Sequence, residues 1–129
     1  MITCVISGAT SGIGLSILNI LIKKKISVIV IGRSQKKWNL LKSKNHSLNK
    51  VKFIEADLSE IKFVKKIKKK LQKIKCVDLM INNAGIINYK LEINSLNYEK
   101  TFFTNFLSTF FFNKNFITKN IEIKITNSY

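Results

Sequence analysis

The fold is decided by eight residues near the start of the chain, Ser7-Gly8-Ala9-Thr10-Ser11-Gly12-Ile13-Gly14. They follow an apolar run at residues 2–6 and lead into residues 13–24, whose apolar side chains recur at helical spacing. In a strand–loop–helix unit, glycines allow a tight turn, close approach of the backbone to a ligand and close packing of the helix. The N–H groups at the start of such a helix attract anions. The loop therefore predicts a turn that binds phosphate groups.

The rest of the chain repeats this alternation of short apolar runs and helical patterns. Strands are predicted at residues 2–6, 27–31, 51–55, 77–82 and 122–126, and helices at residues 13–24, 35–44, 60–73 and 98–119. The strands are nearly continuous runs of Val and Ile, as expected where both faces of a sheet are covered. The pattern predicts an α/β fold, a doubly wound Rossmann-like parallel sheet with helices on both faces. With no break in composition, residues 1–129 are expected to form a single domain.

The composition is that of a folded chain, and its positive charge does not by itself identify a binding partner. The 129 residues are 46% hydrophobic and 23% charged, with a formal net charge of +16. Arg33 is the only arginine among 23 basic residues. An excess of Lys, Ile and Asn is what A/T-rich codons produce, whereas nucleic-acid binders generally use arginine as well. Nucleic acid is therefore not expected as a partner, although a basic surface that binds polyanions stays an alternative.

Neither the cysteines nor the apolar segments indicate a special class of protein. Cys4 and Cys76 are too few for a disulfide scaffold and lie among apolar residues, so we expect buried free thiols and no metal site. The longest apolar stretch, residues 101–112, is interrupted by polar residues and is shorter than the about 20 residues of a membrane helix. No signal peptide is recognisable. The sequence predicts a cytoplasmic protein with no transmembrane segment.

Four motifs, taken in order along the chain, resemble those of the short-chain dehydrogenase/reductase family. The glycine loop is similar to the family pattern T-G-x-x-x-G-I-G, with Ser7 in place of the leading Thr. Asp57-Leu58, after the third predicted strand, resembles the Asp that contacts adenine in the family. Asn82-Asn83-Ala84-Gly85 is similar to its N-N-A-G motif, and Asn105 matches the Asn of its catalytic tetrad. The matches cover nearly the whole chain.

The resemblance implies a nicotinamide dinucleotide as cofactor. The residues expected to bind it are Ser7, Gly8, Thr10, Ser11, Gly12, Ile13, Gly14, Arg33, Ser34, Asp57, Leu58, Asn83, Ala84 and Gly85. Asp57 could instead be a turn residue or a helix cap. No acid follows the second strand, where one would favour NAD by accepting the ribose hydroxyls. Arg33 and Ser34 stand there and suit a 2′-phosphate, so NADP is favoured over NAD.

The resemblance also implies an oxidoreductase acting on a carbonyl or alcohol. Asn105 would hold a water of the proton relay, and the Ser that polarises the substrate falls on Ser128 or, with a slip of one residue, on Asn127. The family's Y-x-x-x-K pair is absent, because no tyrosine here has a lysine four residues later. We therefore expect a cofactor-binding portion truncated before the catalytic Tyr. It would be inactive alone, with a sheet incomplete at its C-terminal edge and no substrate loop.

The last predicted helix is too apolar for one sheet to cover. Its Phe and Leu side chains, from Phe102 onward, form a stripe about 180° wide. In the family this helix builds a dimer interface, so a homodimer through residues 102–112 is expected. A non-catalytic module that binds dinucleotides is the other reading of the same sequence.

Overall fold

The computed structural model describes residues 1–117 and contains a four-stranded parallel sheet in the order β3-β2-β1-β4. The strands are β1 (Thr3–Ser7), β2 (Ser27–Gly32), β3 (Lys52–Glu55) and β4 (Leu79–Asn82). Val5 of β1 lies opposite Ile29 of β2 and Met80 of β4. The chain reverses its direction of travel across the sheet between β1 and β4. In open parallel sheets, ligands bind at this reversal, outside the carboxyl ends of the strands.

Helices cover both faces of the sheet. They are α1 (Gly12–Lys23), α2 (Gln35–Lys44), α3 (Ile61–Leu71), α4 (Lys100–Phe102) and α5 (Ser108–Ile117). Side chains alternate between the faces of β1: Cys4 and Ile6 join the core that includes Leu18 of α1 and Trp38 of α2, while Val5 joins the core beneath α3. Because both faces are buried, the strands carry continuous apolar runs. The predicted doubly wound α/β fold is confirmed.

Side-chain caps mark where two of the helices, α2 and α4, begin. The predicted α2 has the bounds that the structure shows, and the Ser34 Oγ accepts a hydrogen bond from the Lys37 N–H at its start (3.1 Å). The helix predicted at residues 98–119 begins instead at Lys100, because the Glu99 carboxylate accepts from the backbone N–H groups of Phe102 (2.6 Å) and Thr101 (2.7 Å). These hydrogen bonds hold the pKa of Glu99 below its usual value.

Two irregular turns interrupt the predicted pattern. A 3₁₀ turn at His46–Lys50 buries Leu48 between α2 and β3. A π-helical turn at Phe103–Leu107 joins α4 to α5, so the last helix is not a uniform α-helix. The strand predicted at residues 122–126 lies outside the described residues. The single domain over residues 1–129 stays a prediction.

The structure holds no membrane span or metal cluster within residues 1–117. No helix there is long and apolar enough to cross a membrane, and no three metal-ligating side chains come together. Cys4 is buried in the sheet, as predicted. The same prediction is wrong for Cys76, which is exposed because it lies between α3 and β4, where its thiol donates to Asp78 Oδ1 (3.6 Å).

The two thiols should react with a disulfide reagent at very different rates. Burial raises the pKa of Cys4 from 9.0 to about 12, so this thiol is both covered and protonated. Cys76 is exposed, although partial desolvation and the charge of Asp78 raise its pKa as well. We expect one thiol to react in the folded protein, faster as the pH rises, and the second only on unfolding. Cys76→Ser should remove the fast phase; a fast phase that survives would contradict the placement of Cys76.

Candidate functional site

An open cavity of about 870 Å³ lies at the carboxyl ends of the strands. It is lined by four segments: the glycine loop after β1, the end of β2, the turn after β3 and the loop after β4. The structure brings together most residues predicted from the sequence, and those that line the cavity are Gly8, Thr10, Ser11, Gly12, Ile13, Gly14, Arg33, Ser34, Asp57, Leu58, Asn83, Ala84 and Gly85. Ser7 and Asn105 lie outside the lining. Asn127 and Ser128 lie outside the described residues.

The glycine loop presents its backbone to the cavity. Gly8 (φ +71°) and Gly12 (φ +54°) adopt the left-handed conformation that favours glycine. A Cβ at Gly12 would meet no atom within 4 Å, so this side of the loop is open. Within residues 1–117 the N–H groups of Gly12, Ile13 and Gly14 have no hydrogen-bond acceptor, as is normal for the first residues of a helix. These donors and the positive end of the helix dipole suit an anion.

Ser7 and Asn83 join the glycine loop to the loop after β4. Ser7 Oγ accepts hydrogen bonds from the N–H groups of Asn83 (3.2 Å) and Ala84 (3.1 Å). In return, Asn83 Nδ2 donates to the carbonyls of Ser7 (3.3 Å) and Gly8 (3.0 Å). A Cβ at Gly14 would overlap the Gly8 carbonyl and the Asn83 amide. Ser7 therefore lies behind the cavity and braces it.

Arg33 and Ser34 lie at the cavity wall beyond β2. The Arg33 side chain is exposed, and it makes no hydrogen bond or ion pair with any of residues 1–117. Ser34 Oγ caps α2 as an acceptor, which leaves its hydroxyl hydrogen free to donate to a ligand. Lys37, one turn into α2, also lines this wall. The wall therefore offers a free guanidinium, a hydroxyl and a second cation.

One acid lies close to this wall, and the linear sequence did not predict it. Glu55 ends β3, where it pairs with Gly32 of β2. Its Oε1 accepts a hydrogen bond from the N–H of Gln35, the first residue of α2 (3.0 Å). Because the two residues are 20 positions apart, only the strand pairing brings the carboxylate beside Arg33 and Ser34. An acid therefore does stand near the end of β2.

Asp57 forms a turn after β3 and also lines the cavity. Its Oδ1 accepts from the Ser59 N–H (2.9 Å), which is a turn before α3. Asp57 also lines the cavity together with Leu58. The Ser59 carbonyl in turn accepts from Asn94 Nδ2 (3.0 Å), which ties the segment before α4 to this turn. Asp57 is therefore a turn residue rather than a helix cap, because Glu60 stands at the start of α3, and this turn is compatible with lining the cavity.

Asn105 lies in the π-helical turn, and its side-chain amide hydrogen-bonds the loop after β4. Its Oδ1 accepts from the Ile86 N–H (2.8 Å), and its Nδ2 donates to the Ile86 carbonyl (2.9 Å). The same oxygen would lie 3.4 Å from a Cβ at Gly85, so the two segments are in close contact. Each end of the Asn105 amide therefore makes one hydrogen bond to the backbone of Ile86.

Other residues of the cavity carried no signal in the sequence. Glu92 and Lys100 form an ion pair (3.2 Å) that lines it. Thr104 is buried, also lines it, and has a hydroxyl without a hydrogen-bond partner among the described residues. These residues belong to irregular segments or to a run of phenylalanines, where no periodic or motif pattern marks them.

Comparisons with known proteins agree with the fold and the motifs. The family model for short chain dehydrogenase matches residues 3–124. The chain is 34% identical over 124 residues to a very-long-chain 3-oxoacyl-CoA reductase-A of Danio rerio, covering 95% of this chain and 34% of that protein. It is 28% identical over 111 residues to an uncharacterized oxidoreductase of Schizosaccharomyces pombe, covering 83% and 33%. The chain thus spans about a third of the length of these curated relatives.

Solved structures share the fold at low sequence identity. A ketone-specific alcohol dehydrogenase of Comamonas testosteroni superimposes with a TM-score of 0.76 at 19% identity, covering 92% of this chain and 49% of that one. A short-chain dehydrogenase of Sphingobium yanoikuyae, solved with NADPH, gives 0.73 at 18% identity, covering 89% and 46%. The family consists of oxidoreductases that bind nicotinamide dinucleotide. Because the family model matches nearly every residue and the fold agrees, this chain belongs to the short-chain dehydrogenase family.

Proposed function

We propose that residues 1–129 are one domain that binds NADP(H) in the cavity as part of an oxidoreductase acting on a carbonyl or alcohol. The observation that carries this proposal is the start of α1, where three free N–H groups lie beside the open side of Gly12. Such donors suit the pyrophosphate of a dinucleotide. When bound, the dinucleotide would supply or accept the hydride.

The preference for NADP rests on the wall beyond β2. Arg33 is free to form a bidentate contact with a phosphate, and the Ser34 hydroxyl can add a hydrogen bond. Glu55 acts in the opposite direction, because its carboxylate already occupies the first N–H of α2 and repels a second anion. Arg33 lines the cavity, whereas Glu55 does not, which favours the cofactor that carries a 2′-phosphate.

The substrate side of the site is assigned to Asn105 and to Ser128, or to Asn127 in its place. One relative is a very-long-chain 3-oxoacyl-CoA reductase and one structural neighbour is a ketone-specific alcohol dehydrogenase, which supports a carbonyl or alcohol as substrate class. Within the described residues, Asn105 fixes the backbone at Ile86 through both ends of its amide. No tyrosine in the 129 residues has a lysine four positions later, so the chain by itself should bind cofactor without turnover.

The exposed face of the last helix supports a homodimer. Phe102, Phe106 and Phe110 are 50%, 59% and 53% exposed, and the rings of Phe102 and Phe106 stack at 5.5 Å. The opposite face of the helix places Phe103 in the interior. An exposed row of aromatic side chains on one helix is typical of a protein–protein interface.

Replacing Arg33 by alanine should narrow the preference for NADPH over NADH by about ten-fold or more. A charge-assisted contact to phosphate contributes about 1.5–3 kcal/mol, and only NADPH carries the 2′-phosphate. Calorimetric titration of both cofactors against the unsubstituted chain and Arg33→Ala measures the change. Equal affinity of the unsubstituted chain for the two cofactors would rule out the NADP preference.

Two further variants test how neighbouring charges affect the preference for NADPH over NADH. Lys36 is an exposed cation three residues from Arg33 that does not line the cavity, so Lys36→Ala is the matched control and should leave the ratio of affinities unchanged. Glu55→Gln keeps an acceptor for the Gln35 N–H but removes the charge, and should raise NADPH affinity by about two- to five-fold with little effect on NADH.

Gly12→Ala should weaken NADPH binding by about ten-fold or more while the fold stays intact. The added methyl group meets no protein atom but projects where the pyrophosphate would approach, and the left-handed backbone adds strain. Titration with NADPH measures the loss of affinity. A separate titration with heparin is the control, because polyanion binding through surface lysines should not change. Gly14→Ala is expected to lower the thermal midpoint instead, since its methyl overlaps the Gly8 carbonyl. Undiminished NADPH binding by Gly12→Ala would refute the loop assignment.

Phe106→Glu should weaken self-association by about ten-fold or more, because it places a charge in the centre of the exposed aromatic row. Sedimentation velocity over a range of concentrations measures the dissociation constant. Leu40→Glu is the control, since Leu40 is a similarly exposed apolar side chain (57%) on a different helix, α2. A chain that stays monomeric at its highest soluble concentration would exclude the homodimer.

A further inference from the structure

The edge of the sheet opposite the cavity is strongly basic. The four strands are parallel, so they all start at this edge, and α1, α2 and α3 end there because each leads to the start of the next strand. The ends of these helices and the segments that follow them carry exposed lysines. These lysines are named the basic edge, and they are Lys23, Lys24, Lys25, Lys44, Lys50, Lys52, Lys69, Lys70, Lys73 and Lys75.

Carboxylates do not balance the basic edge. Within residues 1–117, Asp78 is the only acid there, and its carboxylate accepts hydrogen bonds from the Thr3 N–H (2.7 Å) and the Cys76 thiol (3.6 Å). The codon bias of a chain can set its number of lysines, but only the fold can separate them from its acids. The other acids of the described residues lie around the cavity or at the starts of helices, at Glu55, Asp57, Glu60, Glu92 and Glu99.

The positive charge extends over an area and not along a single helix. The lysines come from residues 23–25, 44–52 and 69–75, and the last two segments lead to β3 and β4, the outer strands of the sheet. Neighbouring strands lie about 4.8 Å apart, so the lysines extend over roughly 14 Å across the four strands. Charges within about 10 Å of each other are only partly screened at 0.1 M salt. A flat anionic surface would therefore meet many of these lysines together.

Apolar side chains are exposed beside the lysines. Ile2 is 55% exposed immediately before β1, and its carbonyl accepts from the Ser27 N–H (2.9 Å), which places it next to the segment that holds Lys25. Ile20, in the last turn of α1, is 54% exposed. Lysines with apolar side chains between them suit a lipid interface, where ammonium groups contact the headgroups and apolar groups enter the boundary below.

The same segments lack the side chains that favour nucleic acid. Residues 23–25, 44–52 and 69–75 contain no Arg, Phe, Tyr or Trp. Proteins read bases with the guanidinium fork of arginine and bind single strands by stacking aromatic rings on the bases. Lysine is a compact, hydrated point charge, which is sufficient for attraction to acidic headgroups.

We propose that the basic edge binds the anionic surface of a phospholipid bilayer. The protein lies on the headgroups without inserting a helix, and the attraction is mainly electrostatic. In this orientation the cavity is at the far end of the sheet and stays open to water. The surface is separate from the cavity, so its binding to vesicles does not depend on the proposed cofactor.

The test is cosedimentation of the 129-residue chain with vesicles of phosphatidylserine and phosphatidylcholine in a ratio of about 3:7. The chain should bind these vesicles at about 0.1 M salt, bind pure phosphatidylcholine at least ten-fold more weakly, and be released at about 0.5 M salt. Failure to bind the mixed vesicles, equal binding to phosphatidylcholine or binding that survives high salt overturns the proposal.

Two matched triple variants locate the surface. The combination of Lys24→Gln, Lys50→Gln and Lys73→Gln removes one charge from each segment of the basic edge and should weaken vesicle binding by about ten-fold or more. The control combines Lys36→Gln, Lys62→Gln and Lys90→Gln, which are exposed lysines outside the basic edge and the cavity lining, and should stay within about three-fold of the unsubstituted chain. Circular dichroism establishes that both variants are folded.

The comparison of the two variants decides whether the place of the charge matters. An equal loss in both would assign the binding to net charge alone and overturn the role of the basic edge. A duplex DNA of mixed sequence is titrated at the same phosphate concentration and salt. Binding to this DNA as tight as to the mixed vesicles, or tighter, would assign the edge to nucleic acid and overturn the assignment to lipid.

Discussion

The shape of the cavity depends on one set of hydrogen bonds. These bonds join the loop after β1, at Ser7 and Gly8, to the loop after β4, at Asn83 and Ala84. β1 and β4 are neighbours at the point where the sheet reverses its order, so the loops after them meet side by side. The Ser7 hydroxyl accepts two hydrogen bonds there, from the N–H groups of Asn83 and Ala84, and the Asn83 side-chain amide donates two, to the carbonyls of Ser7 and Gly8. Gly8 and Gly14 leave the space in which these groups fit, because a side chain at either position would overlap the opposite loop. Every ligand-facing group of the glycine loop takes its position from this packing.

The charge of the cavity differs from the charge of the chain. The net charge of +16 spreads over the surface, notably along the outer face of α3. The cavity itself combines cations with the carboxylates of Asp57 and Glu92, and Glu92 is neutralised by Lys100. Recognition of a phosphate would therefore come from the placement of Arg33 opposite Glu55, and general basicity would contribute weak, salt-sensitive attraction.

The π-helical turn at Phe103–Leu107 links packing to the site. It directs Phe103 into the interior and leaves Phe102 and Phe106 exposed. It also carries Asn105, which hydrogen-bonds the Ile86 backbone, and Thr104, whose buried hydroxyl has no hydrogen-bond partner among the described residues. A π-turn changes the hydrogen-bond register of a helix and is frequent at functional positions. Here it allows adjacent residues to meet the loop after β4 and the cavity together.

The sequence by itself determined the alternation of four strands with helices along residues 1–117, because helical periodicity and apolar runs are local properties. It predicted the bounds of α2 at Gln35–Lys44 and the glycine loop, together with most residues of the cavity wall. Only the tertiary structure placed Glu55 beside the start of α2, engaged both ends of the Asn105 amide and left the Thr104 hydroxyl without a partner. Each of these depends on how segments distant in sequence pack together, and no periodicity or motif along one chain records such contacts.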